Sequence, residues 1–280
     1  MQTLLLGTAQ WGSDYGVTNE AGRLTDSALV ELLNAARSLD VTLVDTAPAY
    51  GDAEARIGRT APDLRIQTKV NLVEPAQPVA DQVIGSSELT RQAVLWGVLA
   101  HDWPAANPSS RAAGADELGR LLREGLVERV GVSAYEEADL TDLLTVFPSA
   151  GVVQVPVSLL DQRLSGRELI GELRAAGVRI QARSIFLQGL LLAAAPHGAF
   201  ASHPDLQRAQ QAVESLGLSP LALALGFIRT QEWIDEVVVA PTSAEEMLAI
   251  HAAWVETPLD LDWANFASAD LDLLDPRRWA

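Results

Sequence analysis

Within the stretch from Val41 to Val70, two short apolar runs each end on an ionisable residue: Asp45 closes the first and Lys69 the second. Between them Tyr50 stands in Thr46-Ala47-Pro48-Ala49-Tyr50-Gly51, where proline and glycine stop a strand from continuing. A third apolar run, Leu95 to Ala100, ends on His101. A carboxylate, a phenol, an amine and an imidazole together suit acid–base work on a carbonyl or an alcohol. A phenol is a poor acid at its reference pKa of about 10, but a neighbouring ammonium stabilises the phenolate and lowers that value. Lys69 would supply the charge, Asp45 would pair with it, and His101 would hydrogen-bond the substrate oxygen and fix its direction. None of these groups can deliver two electrons, so a redox reaction here needs a bound hydride carrier.

Lysine usage sharpens the point, because the chain has 20 basic residues and Lys69 is the only lysine among them. Arginine keeps its proton and carries a rigid fork, whereas a buried amine is compact and tunable by its neighbours. A single lysine at the end of an apolar strand marks a place that needs an ammonium. The bland alternative is a chance survivor in an arginine-rich composition.

The elements that must position these groups alternate along the whole chain. Strands are expected at Thr3 to Gly7, Val41 to Val44, Leu64 to Thr68, Leu95 to Ala100, Leu126 to Val132, Val152 to Val155, Val178 to Ala182 and Val237 to Val239. Helices are expected between them: from an N-cap at Thr25 to Leu39, around Asp52 to Arg59, up to Val94, and at Ala115 to Glu124 and Glu136 to Val146. Further helices follow at Leu164 to Ala176, Asp205 to Leu216, Pro220 to Arg229 and Ser243 to Val255, while Gly85 to Ser87 and Asn107 to Ser110 read as turns. Eight such units without a linker close most economically into one (β/α)₈ TIM barrel, an α/β single domain spanning residues 1–280. The runner-up, an open doubly wound sheet, lacks both G-x-G-x-x-G after the first strand and G-x-x-x-x-G-K-[ST]. In a barrel, Asp45, Lys69 and His101 fall at the C-terminal ends of neighbouring strands about 4.8 Å apart.

Composition narrows the partners. A formal charge of −17 argues against nucleic acid and anionic membrane, whose phosphates would be repelled, and favours a small-molecule carbonyl or alcohol. With no cysteine, thiolate catalysis, disulfides and cysteine-ligated metals are excluded. His197, His203 and His251 show no ligand spacing, so no metal is expected. The N-terminus lacks a basic n-region, and the longest apolar run, Gly189 to Ala195, is far short of the roughly 20 residues that span a bilayer. A cytoplasmic protein is expected, with its oligomeric state open.

At these residues the chain resembles an aldo-keto reductase. The likeness runs from Gly7-Thr8 through Val44-Asp45-Thr46-Ala47-Pro48-Ala49-Tyr50-Gly51, Thr68-Lys69, His101 and Gly131-Val132-Ser133 to Gln154 and Arg183-Ser184. It implies a catalytic tetrad of Asp45, Tyr50, Lys69 and His101 with Tyr50 as proton donor, and NADP or NAD across the barrel mouth. Gly7, Thr8 and Asp45 would border that cofactor, with Ser133 and Gln154 on its carboxamide. Arg183, Ser184, Phe186, Gln188, Gly189 and Leu190 would wrap its pyrophosphate, and Thr242, Ser243 and Glu246 would meet its adenosine. Three positions depart from the family habit: Ala134 follows Ser133 where Asn is common, Arg183 replaces a stacking aromatic, and Glu246 replaces a common Arg. The segment Ala240 to Ile250 offers no cation to a 2′-phosphate, so weak discrimination or an NAD preference is expected. Trp11 and Trp103, on loops after the first and fourth strands, are candidate walls of the substrate pocket. The tail from Asp260 to Trp279 would cover the barrel or extend over its mouth. The leading activity is reduction of an aldehyde or ketone; the alternatives are oxidation of an aldose or other alcohol and a non-catalytic nicotinamide-binding regulatory barrel.

Overall fold

A computed structural model describes residues 2–73, 77–193, 198–256 and 260–279. Eight strands run β1 (Thr3–Gly7), β2 (Leu43–Asp45), β3 (Arg65–Val70), β4 (Gly97–Ala100), β5 (Val130–Ser133), β6 (Val152–Pro156), β7 (Arg179–Arg183) and β8 (Glu236–Val239). All neighbours pair in parallel, and β1 pairs with β8 to close the barrel. The helices described are α1 (Ala9–Gly12), α2 (Asp26–Ser38), α3 (Ala53–Thr60), α4 (Val79–Thr90), α5 (Pro108–Arg123), α6 (Leu143–Val146), α7 (Glu168–Ala175), α8 (Pro204–Leu216), α9 (Pro220–Thr230), α10 (Ala244–Val255) and α11 (Leu271–Leu274). The (β/α)₈ TIM barrel read from the sequence is the observed architecture.

The main core lies between the barrel and its helices. On α2, Leu29, Leu32, Leu33 and Ala36 are buried at helical spacing, each leucine contributing about 1.5–3 kcal/mol over an exposed position. Thr25 caps that helix by accepting from the Ala28 amide, worth about 1 kcal/mol. Inside the barrel, alternation sends every second residue to the lumen. There Leu5, Leu43 and Trp96 form a small separate apolar cluster, with Arg65 and Arg129 over the Trp96 ring at 5.9 and 4.7 Å.

Several connections differ from expectation. Asn107 to Ser110 is not a turn but a helix start: Asn107 accepts from the Ser110 amide, and Pro108 occupies the first position of α5, where a missing N–H costs nothing. Gly85 to Ser87 lies inside α4, whose Val83, Ser86 and Thr90 face inward. Glu136 to Val146 is two pieces, because the Asp139 carboxylate gathers the Tyr135 and Glu136 amides into a tight turn ahead of α6. The tail does both things left open for it. Trp263 packs edge-on against Phe227, and the Ser268 amide donates to the Leu160 carbonyl along the flank. Arg277 lies 3.6 Å from the Tyr135 ring centroid at the mouth. No single described helix is long and apolar enough to cross a membrane.

Candidate active site

At the mouth of the barrel a cavity of about 960 Å³ opens among the strand ends, at the upper end of the ordinary range for ligand sites. Asp45 ends β2, Lys69 stands near the end of β3 and His101 directly follows β4. The Tyr50 loop is locked to the loop after β1, because Gly12 and Gly51 meet backbone to backbone. A Cβ at Gly12 would overlap the Tyr50 carbonyl oxygen, and one at Gly51, whose φ is +61°, would overlap the Gly12 oxygen. Thr8 adds a clamp by donating its amide and hydroxyl to the Asp45 carbonyl, both at 3.1 Å.

Lys69 is 1% exposed. Its Nζ donates to Asp45 Oδ2 at 2.7 Å and to the Thr46 carbonyl at 2.9 Å, and lies 3.4 Å from the Tyr50 hydroxyl. Burial disfavours the ammonium, but the Asp45 carboxylate and then Tyr50 outweigh it and hold the lysine above its ordinary pKa. His101 meets Tyr50 edge-on, 6.2 Å between ring centroids. Its pKa is pushed down to about 4, chiefly by burial and then by the Lys69 charge, so near neutral pH the imidazole carries one N–H and no charge. The site therefore holds a phenol beside a fixed ammonium and a neutral imidazole. That set can give a proton to a carbonyl oxygen and steady the phenolate left behind.

The cavity takes in most of the positions singled out in the sequence. Gly7, Thr8, Asp45, Tyr50, Lys69, His101, Ser133, Gln154, Arg183, Ser184, Phe186, Gln188, Gly189, Thr242 and Glu246 all line it. Ser184, Leu187 and Gln188 have φ of 59°, 47° and 51°, and Gly189 of 92°, curling the chain after β7 around the opening. Gln188 ties this curl to the loop after β1, accepting from the Val17 amide and the Thr18 hydroxyl. Glu246 folds back to accept from the Thr242 amide and hydroxyl.

Four of the expected residues lie elsewhere. Trp11 and Trp103 are not pocket walls: both are fully buried in the main core. Their large apolar surface packs best away from water. Trp103 stacks on Phe147 and donates to the Asp139 carbonyl, and the Trp11 carbonyl is gripped by the buried Arg56. Leu190 is core as well, and the Ser243 hydroxyl is consumed in capping α10.

Their place at the mouth is taken by Tyr15 and Tyr135. The Arg183 guanidinium lies 4.3 Å from the Tyr135 centroid and donates to the Ala134 carbonyl. Gln10 also lines the cavity, with a buried side-chain oxygen that has no partner among the described residues. Of the histidines set aside as structural, His203 caps α8, and His197 lies outside the described residues. Among the described residues no group of three or more potential ligands could hold a metal ion.

Comparison with solved structures finds the same fold at low identity. A putative aldo-keto reductase from Pseudomonas aeruginosa is 22% identical with a TM-score of 0.64, over 90% of this chain and 88% of that one. The aldo-keto reductase AKR11C1 from Bacillus halodurans, in its holo form, is 17% identical with a TM-score of 0.76, over 98% and 94%. The glycerol dehydrogenase AKR11B4 from Gluconobacter oxydans is 18% identical with a TM-score of 0.71, over 98% and 92%. No curated protein matches the chain significantly. The description of the aldo/keto reductase family matches residues 3–268, nearly the whole barrel. With the fold, the strand-end groups and that match in agreement, the chain belongs to the aldo/keto reductase family.

Proposed function

We propose that this barrel reduces an aldehyde or ketone to the alcohol with a nicotinamide dinucleotide, Tyr50 being the proton donor. The observation that carries the reading is the buried Lys69 amine, bonded to Asp45 at 2.7 Å and 3.4 Å from the Tyr50 hydroxyl, on the wall of the mouth cavity. Tyr50 gives its proton to the carbonyl oxygen as the carbon is reduced. Lys69 stabilises the resulting phenolate, and Asp45 holds Lys69 in place. The neutral His101 donates its one N–H to the same oxygen and orients it.

A bound reduced nicotinamide supplies the hydride that no side chain here can provide. The residues present suit such a group. Both N–H groups of Gln154 are occupied, by Asp45 Oδ1 at 3.0 Å and Gln181 Oε1 at 3.1 Å. Only its carbonyl oxygen is left for a ligand, which matches the N–H of a carboxamide. Gln10 offers a second unpaired oxygen. Ser133, Ser184, Gln188, Gly189, Thr242 and Glu246 would border the rest of the dinucleotide. Among the described residues Lys69 and Arg183 are the only cations on the cavity wall, which favours NAD over NADP or leaves the two nearly equal.

The reading is tested by a panel of aldehydes, ketones and alcohols followed at the nicotinamide absorbance with NADH and NADPH. Turnover of at least one carbonyl class is expected. A folded protein that binds either cofactor and turns over nothing would leave the regulatory-barrel alternative.

A further inference from the structure

Beneath the Asp45–Lys69 pair the lumen is filled with amides, at a depth where barrels of this kind are mostly packed with branched apolar side chains. Gln67 on β3 and Gln181 on β7 come from opposite sides of the barrel and bond each other twice. Gln67 Nε2 donates to Gln181 Oε1 at 2.8 Å, and Gln181 Nε2 donates back to Gln67 Oε1 at 2.9 Å. The second N–H of Gln67 goes to Asp45 Oδ1 at 2.7 Å, and that of Gln181 to Glu236 Oε2 at 2.9 Å. Arg179 closes the far end on Glu236 Oε1 at 2.8 Å. Gln154 joins from the side, donating to Asp45 Oδ1 and Gln181 Oε1. Both facing amides are fully buried. The sequence carries the arrangement as a repeat, Arg65-Ile66-Gln67 and Arg179-Ile180-Gln181. The period of two turns each Arg and Gln inward, with Lys69 and Arg183 next above them.

The two carboxylates at the ends fix every amide in one direction, since a carboxylate only accepts. Asp45 therefore presents Oδ1 to two amide donors and has Oδ2 left for Lys69. We infer that Gln67 and Gln181 are positioning residues for the acid–base site: the facing pair holds the Asp45 carboxylate aimed at Lys69 and turns the Gln154 carbonyl toward the ligand. Charged and titratable groups around the Asp45–Lys69 pair come from several elements: Tyr50 on the loop after β2, the buried Glu54 on α3, which feels the Lys69 charge, His101 after β4 and Arg183 on β7, with Glu236 and Arg179 at the far end. Lys69 bonds Asp45 directly, so a loosened carboxylate is felt first in its proton. The inference rests on the acid–base reading of the site, but its first test needs no turnover.

Because Lys69 is the only lysine, labelling the protein with isotopic lysine gives one side-chain amine signal by NMR. In Gln67→Met the pH at which Lys69 begins to lose its proton is expected to move by about one unit, because the carboxylate that holds it is no longer fixed by the Gln67 amide. The basic limb of the kcat profile should move with the Lys69 titration. If Gln67→Met does not fold, Gln67→Asn, whose shorter amide draws back from Asp45, gives the same reading, and both variants leave the bonds of Gln181 to Glu236 and Gln154 in place. Lys69 titrating as in the wild type in the folded variants would overturn the inference and leave the amides as structural packing. A shifted lysine in a protein that reduces no carbonyl would support the positioning role and count only against the proposed activity.

Discussion

Lys69 has a geometry that an arginine cannot copy. Its single nitrogen sits among a carboxylate, a backbone carbonyl and a phenol, within 2.7 to 3.4 Å of each. A planar fork would have to displace one of them. Lys69→Arg should keep the charge and still lose about a hundredfold or more in kcat; kcat within a few-fold of wild type would reduce the lysine to packing. His101 makes a second prediction, on stability. Its folded value of about 4 lies below the ordinary 6.5, so as pH falls from 6.5 toward 4 the unfolded chain takes up a proton that the folded one refuses. Stability should therefore drop across that window, by up to about 2 kcal/mol at about pH 5 relative to about pH 7. Denaturant melts of wild type and His101→Gln at the two pH values should show the larger acid loss in the wild type; equal losses would mean that the imidazole is protonated in the folded state. Asp45, Lys69 and His101 were legible because each closes an apolar run, and Tyr50 because it stands in the proline- and glycine-marked turn between two of them. Gln67, Gln181 and Glu236 were not, since a polar residue at every second position of a strand reads the same whether it faces water or a lumen. The repeated Arg-Ile-Gln was the available signal.

At the scale of the elements, the site depends on two loops touching where side chains would not fit. Gly12 and Gly51 let the loops after β1 and β2 share a backbone contact directly behind Tyr50. Gly12→Ala should cost at least about 2 kcal/mol through overpacking and displace Tyr50, seen as a lower denaturation midpoint together with a lower kcat. An alanine that leaves both unchanged would mean that the loops separate freely. Arg56, fully buried on α3, ties the same region by donating to the Trp11 carbonyl and to the Leu24 carbonyl at 2.7 Å. All eight strands were readable from short β-rich runs alternating with helical stretches, from Val237 to Val239 up to Leu126 to Val132. The errors fell in the connections. The Pro108 start of α5 was hidden because Asn-Pro suits a turn as well as a cap. The break in Glu136 to Val146 depends on one carboxylate, that of Asp139, choosing backbone partners. Trp11 and Trp103 were misplaced because loop position says nothing about which way a side chain packs.

The molecule as a whole is strongly acidic, with a formal charge of −17, and its mouth cavity places Glu20, Asp45 and Glu246 against two cations, Lys69 and Arg183. Lys69 is already paired with Asp45, and Arg183 is held at the end of β7 by the Ala134 carbonyl and the Tyr135 ring. A 2′-phosphate entering near Thr242 would meet Glu246 and, among the described residues, no basic side chain beyond Lys69 and Arg183 on the wall. NADH should accordingly bind at least as tightly as NADPH at matched salt, and a preference for NADPH above about a hundredfold, roughly 2.7 kcal/mol, would show a cation reaching the site from elsewhere. The central claim is that the cavity exists to let Tyr50 hand a proton to a carbonyl. Its most direct measurement compares kcat for the best carbonyl substrate, and the dissociation constant of the reduced cofactor, in wild type and Tyr50→Phe. The account predicts a loss of about a hundredfold or more in kcat with cofactor affinity changed less than about threefold; a Tyr50→Phe protein that keeps most of its kcat would contradict it.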